Sequence, residues 1–246
     1  VNADPAVQLR LLDVQAADTA LAQLEHRRQT LPELAVIAAR EAELGRLESA
    51  LVRAGSEVSD LAREQRRLES DVEQVRSRAD RDQQRMQSGA VPAKELESLQ
   101  HEVQSLAKRQ SDLEDSVLEL MESREEAEGR LAAIRADAAR LTTERDAAAA
   151  ARDAVFAELD ADAARHAARR AELAATLPED LSTLYEKVRA SAGGVGAAPL
   201  RHRRCEGCRL ELAGSELRAA RAAAPTEVLR CENCRRILVR TAESGL

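Results

Sequence analysis

A chain of 246 residues that is 44% apolar, 33% charged and 1% aromatic is poorly supplied for a compact core of that size, because such cores use several large aromatic side chains. With Phe156 and Tyr185 as its aromatics, and ten glycines and six prolines, it excludes a turn-rich β fold. Abundant Ala, Leu, Glu and Arg mark long helices or coiled coil instead. The net charge of −7 is uneven: residues 201–246 hold ten arginines against six glutamates, a local +4, which leaves −11 over residues 1–200.

The first segment, AVQLRLLDVQAADTALAQLEHRRQTLPELA, is helical, with Val7, Leu11, Val14, Leu21 and Leu24 in a loose apolar pattern. Pro32 lacks the amide a helix interior needs and predicts a kink or break just before it. From Ile37 to Met86, alternating steps of three and four meet an apolar residue at twelve of fifteen positions; the exceptions are Arg40, Gln65 and Asp82. From Leu96 to Ala148 the same walk succeeds at thirteen of sixteen, failing at Gln110, Arg124 and Arg145. Such spacing is the seam of a coiled coil.

QSGAVPAKE separates the two registers. Gly89 can end one helix and Pro92 suits the first turn of the next, so a turn near 87–93 predicts an antiparallel hairpin. Folding the chain back there pairs Met86 with Leu96, Ala79 with Val103, Val75 with Leu106, Leu61 with Leu120 and Leu51 with Leu131. The second register continues through Val155, Leu159, Leu173 and Leu177, so the first segment pairs with residues of about 155–177. Arms of roughly 80 residues would reach about 120 Å at ~1.5 Å per residue. Ala54 should face Ala127 with Gly55 and Gly129 nearby, which predicts a soft or closely approached mid-section.

LPEDLSTLYEKVRA reads as a short helix with Pro178 at its start and Glu179 and Asp180 in the first turn. SAGGVGAAP follows as a linker or turn. Its GGVG lacks the preceding strand and the spacing of a phosphate loop.

All four cysteines lie at the end of the chain, as C-x2-C, 22 residues, C-x2-C: Cys205, Cys208, Cys231 and Cys234. Four thiolates at ~2.3 Å around one Zn²⁺ make a closed tetrahedron. Two disulfides or a redox pair are the alternatives, although no βαβ unit of the redox kind is visible. Gly207 and Asn233 stand just before the second cysteine of each pair. Those residue types adopt positive φ most easily, and their matched places predict two similar knuckles. CRLEL and RILVR read as short strands, and SELRAARAAA as a small helix with Ser215 as its N-cap. A module of ~45 residues has too little core to fold alone, so the metal supplies folding energy. Four cysteines leave no open coordination place, which makes the ion structural.

The turn and second arm SGAVPAKELESLQHEVQSLAKRQSDLEDSVLELME, the stretch LYEKVRASAGGVG and the pairs CEGCRLEL and LRCENCRRILV together resemble the bacterial C4-type zinc-ribbon proteins with a coiled-coil hairpin, a domain-of-unknown-function family. The resemblance implies zinc at the four cysteines and a non-enzymatic role in nucleic-acid binding or as an adaptor in transcription or secretion. Where that family commonly has a glycine after the last cysteine and an aromatic near its end, this chain has Arg235 and Val239.

The expected fold is therefore mainly α: a long antiparallel coiled-coil hairpin over 1–177, a short helix and Gly-rich linker over 178–200, and a small C4 zinc ribbon with short strands over 201–246. Two functions compete. A nucleic-acid-binding regulator would use Arg201, Arg203, Arg204, Arg209, Arg230, Arg235, Arg236 and Arg240, because the guanidinium fork suits phosphate; interleaved Glu206, Glu211 and Glu232 also fit a plain solvated face. A protein adaptor or chaperone would use the hairpin as a scaffold, with Met86, Val91, Lys94 and Glu95 as contacts at its turn. Catalysis is not expected: His26, His101, His166 and His202 are scattered, and none has a nucleophile at a suitable spacing. Nor is a small-molecule substrate. No stretch approaches the ~20 apolar residues that span a bilayer, no signal peptide is evident, and a cytoplasmic location is expected.

Overall fold

In the computed structural model, which describes residues 1–89 and 91–246, the elements run α1 (Pro5–Gln29), α2 (Pro32–Gln87), α3 (Ala93–Ala174), α4 (Glu179–Ser191), β1 (Ala197–Arg201), β2 (Arg204–Cys205), α5 (Gly214–Ala222), β3 (Leu229–Arg230) and β4 (Ile237–Arg240). Ala90, within the turn expected near 87–93, lies outside the described residues. The chain divides into two compact units: Ala35–Ala148, and Val1–Leu34 together with Ala149–Leu246.

Ala35–Ala148 is a pair of helical arms. α2 ends at Gln87, Gly89 takes the left-handed φ of 68° that a helix stop favours, and α3 starts just after Pro92. The buried side chains are Ile37, Ala54 and Gln65 on α2, and Leu99, Leu106, Ala127, Leu131 and Leu141 on α3. Every one of them stands on the three-four walk read from the sequence. Two of the polar exceptions on that walk satisfy each other: the Arg124 guanidinium donates to Gln65 Oε1 at 2.9 Å. A third, Arg40, lies 2.8 Å from a Glu144 carboxylate oxygen.

Near the tip, the ion pairs Arg85–Glu95 and Arg78–Glu102 flank the expected partners Met86–Leu96 and Ala79–Val103. Further along, Glu57–Arg130 and Gln65–Arg124 join residues several positions away from strict fold-back partners. A Cβ added to Gly55 or Gly129 meets nothing within 4 Å, so these glycines face open space while the buried Ala54 and Ala127 face the seam.

The second unit joins α1, the end of α3, α4 and the sheet. Asp4 caps α1, its carboxylate accepting the Ala6 amide at 2.8 Å. α1 stops at Gln29 and Pro32 opens α2, so the chain leaves the helix just before the proline. α1 does meet the end of α3: Arg28 pairs with Asp160 and lies 4.2 Å from the Phe156 ring centroid. Its buried face, Leu11, Val14, Gln15 and Asp18, also packs on the ribbon sheet and α4.

That sheet has the order β2-β1-β4-β3, with β1 and β4 parallel and the other neighbours antiparallel. Because side chains alternate along a strand, Ile237 and Val239 of β4 join Leu11, Val14, Leu181, Tyr185 and Val188 on one face, while Leu238 joins Leu200, Leu212, Cys205 and Cys231 on the other. A strand covered on both faces reads as an unbroken apolar run, which is what ILV is. β1, in AAPLR, is a strand that the sequence reading missed. CRLEL, expected as a strand, contributes only an isolated bridge from Glu211 to Arg204. α5 begins at Gly214, after Ala213, and so Ser215 lies inside the helix and does not cap it.

Candidate metal centre and basic surface

Two backbone loops of the same design carry the cysteines. In the first, the Cys205 amide donates to Leu210 O at 3.0 Å and the Arg209 amide to Cys205 O at 2.7 Å. In the second, Cys231 donates to Arg236 O at 3.0 Å and Arg235 to Cys231 O at 2.8 Å. The amides of Gly207 and Cys208 point at the Cys205 sulfur, and those of Asn233 and Cys234 at the Cys231 sulfur.

The knuckles are therefore alike, but not through positive φ at Gly207 and Asn233. The left-handed residues are the next but one, Arg209 at 62° and Arg235 at 63°. In each knuckle the left-handed turn thus falls just after the second cysteine, past the amides that are aimed at sulfur. Glycine at 207 answers a packing demand instead: a Cβ would stand 2.7 Å from Arg236 Cδ and 3.1 Å from Ala198 Cβ.

The four sulfurs lie within 4.8 Å of one another, and among the described residues they are the one group of metal-binding side chains so placed. Cys205 and Cys234 are 3.8 Å apart at sulfur, as are Cys208 and Cys231. A tetrahedron with Zn–S of ~2.3 Å has edges of about 3.8 Å, whereas a disulfide needs about 2.05 Å. The cysteines are unbridged, which removes the two-disulfide alternative.

Burial pushes the Cys205 and Cys231 thiols up, against amide hydrogen bonds that favour the thiolate. At Cys234 burial is outweighed by the Arg236 amide and the neighbouring thiols, and its pKa is lowered. Sulfurs so enclosed need a cation to be stable as thiolates. When bound, zinc supplies that charge and the cross-link between the knuckles. With all four places taken by sulfur, the site has no position for substrate.

The eight arginines singled out from the sequence separate into classes. Arg236 is structural: its guanidinium donates to the carbonyls of Val195 (3.1 Å), Gly207 (3.0 Å) and Ala192 (2.7 Å). Arg240 likewise serves the carbonyls of Ala223, Ala224, Pro225 and Glu227. Arg201 pairs with Glu243 at 2.8 Å, Arg204 with Glu206 at 3.6 Å, and Arg230 donates to Arg235 O. Arg203, Arg209 and Arg235 are exposed, with no ion pair or hydrogen bond through the guanidinium among the described residues. At the hairpin tip, Met86 and Val91 are half-buried and Lys94 and Glu95 exposed, with Glu95 paired to Arg85.

The sequence reading overlooked a buried polar cluster beside the ribbon. Asp18 accepts from Tyr185 Oη (2.6 Å), Arg170 Nε (3.0 Å) and Arg189 Nη1 (2.8 Å). Gln15 Oε1 accepts from Tyr185 Oη (3.1 Å) and the Gly196 amide (2.7 Å). GGVG is thus a fastened turn: Gly193 and Gly194 take φ of 68° and 87°, and a Cβ on Gly196 would strike the Tyr185 ring at 2.7 Å. Asp18 and Gln15 sit on the apolar-facing side of α1, and polar residues on a core face were the available signal.

Residues 14–193 match the family described as CT398-like coiled coil hairpin domain, and residues 204–238 match the C4-type zinc ribbon domain. An uncharacterized protein of Mycobacterium tuberculosis is 38% identical over 98% of each chain. A solved structure from Mycobacterium smegmatis is similar with a TM-score of 0.88 and 36% identity, covering 98% of this chain and 100% of that one. CT398 from Chlamydia trachomatis shares the fold with a TM-score of 0.69 and 17% identity, covering 96% and 98%. Neither matched family is an enzyme family, and among the described residues no helix is long and apolar enough to cross a membrane. The four cysteines hold one structural zinc.

Proposed function

Because the chain belongs to the family that joins a CT398-like coiled-coil hairpin to a C4-type zinc ribbon, we propose that it is a non-enzymatic, cytoplasmic nucleic-acid-binding protein whose ribbon contacts the phosphate backbone. One observation carries this reading: arginines on and beside the cysteine knuckles that are exposed and, among the described residues, unpartnered. A guanidinium free of internal partners keeps its donors for phosphate. Residues 201–246 hold no Phe, Tyr or Trp, so the large stacking platforms of single-strand binders are absent and phosphate contacts carry most of the affinity.

Fluorescence anisotropy of the full zinc-loaded chain with a labelled single-stranded RNA and a labelled DNA duplex tests it. Binding that weakens steeply with added salt is expected. No binding to either probe at low salt would overturn the reading and favour the adaptor role.

A further inference from the structure

Every non-glycine residue with left-handed φ among the described residues lies in the ribbon, and every one has a basic or imidazole side chain: His202 (44°), Arg203 (63°), Arg209 (62°) and Arg235 (63°). All four are exposed. His202 and Arg203 are the two central residues between β1 and β2, whose ends Arg201 and Arg204 pair. A two-residue loop with both φ positive is the home of Asn-Gly, yet His-Arg occupies it. Arg209 and Arg235 follow the second cysteine of each knuckle, where glycine would sit without strain. Elsewhere the chain does use glycine for this conformation, at Gly89, Gly193, Gly194 and Gly245. Arginine therefore stands at three left-handed places where the backbone alone favours another residue, and these are the three guanidinium groups of the eight that have no partner among the described residues.

Strain of this kind collects at functional sites. We propose that Arg203, Arg209 and Arg235 are the phosphate-contacting residues of the ribbon, kept at strained positions because the contact needs a guanidinium on each loop tip. The inference rests on the nucleic-acid reading above and narrows it to three residues. Arg209 and Arg235 directly follow Cys208 and Cys234, whose sulfurs belong to one cluster, so a shared ion would tie their two loops together. Arg203 belongs to the adjoining hairpin, held to the first knuckle by the Leu212 amide donating to Arg203 O at 2.9 Å.

The test uses Arg203→Gly, Arg209→Gly, Arg235→Gly and the triple variant in the full zinc-loaded chain. Anisotropy is measured against a 20-nucleotide RNA and a 20-bp duplex over a salt series, beside thermal melting and zinc release to a chromogenic chelator. Each glycine variant is expected to melt no lower than the parent and to keep its zinc. Each is also expected to bind more weakly, with a log–log salt slope shallower by about 0.7 for the single strand or 0.9 for the duplex. The triple variant should lose about three times that slope, and Arg201→Ala, already neutralised by Glu243, should change it less. If the triple variant binds with the parent's affinity and slope, the inference falls while the nucleic-acid reading stands. If the glycine variants release zinc faster or melt lower, the arginines balance the charge of the thiolate centre and the inference also falls. If the parent binds neither probe, both fall.

Discussion

Tyr185 is the residue on which the second unit turns. Its ring is 1% exposed, and its hydroxyl donates towards two buried acceptors, Asp18 and Gln15. Replacing it with Phe keeps the packing but leaves the Asp18 oxygen short of a donor, a loss of about 1–3 kcal/mol that should appear as a lower melting temperature. Burial first, and then the hydrogen bond to Asp18, push the Tyr185 phenol well above its usual range. Above pH ~10 an unfolded chain releases that proton while the folded chain holds it. Stability should therefore fall as pH rises past ~10, and the fall should be smaller in Tyr185→Phe; thermal melts from pH 8 to 11 read this. At the metal, Cys205→Ser removes one of four ligands, and bound zinc measured by atomic absorption should drop from one per chain to far below one. Residues of this kind are unequally visible in a sequence. The cysteines announce themselves by spacing, whereas Asp18 and Gln15 gain their meaning from a tyrosine about 170 positions away.

At the scale of elements, the coil was the most legible part. A three-four period repeated over many turns leaves little freedom, and Ile37, Leu99, Leu106, Leu131 and Leu141 are buried where that period puts them. Short elements gave no such signal. β2 and β3 have two residues each, too few to show alternation, and β1 contains Pro199 and follows a glycine-rich stretch, which reads as a loop. The knuckles were legible as a pair but not in their dihedrals, because residue type pointed to Gly207 and Asn233 while the left-handed turn falls on arginine. Two glycine substitutions separate packing from propensity. Gly55→Ala and Gly129→Ala meet open space on a helix and should each stabilise Ala35–Ala148 by up to about 1 kcal/mol. Gly207→Ala, confronted by Arg236 and Ala198, should destabilise the ribbon and hasten zinc release.

At the scale of the whole molecule, each of the two units has its own buried residues, and the metal belongs to one of them. Chelation should therefore act locally. Hydrogen exchange is expected to show protection lost over β1 and β4 on zinc removal and retained along the seam from Leu99 to Leu141; loss at both would mean that the two cores melt as one. The strand β4 carries a further implication. Its Ile237 and Val239 rest on Leu11 and Val14 of α1 and on Leu181, Tyr185 and Val188 of α4. The ribbon is consequently not portable: excised at its first strand, it would present a greasy flank to water and stick to itself. Shortening the opening helix, more than two hundred positions before the last cysteine, should loosen the grip on zinc without touching a single ligand.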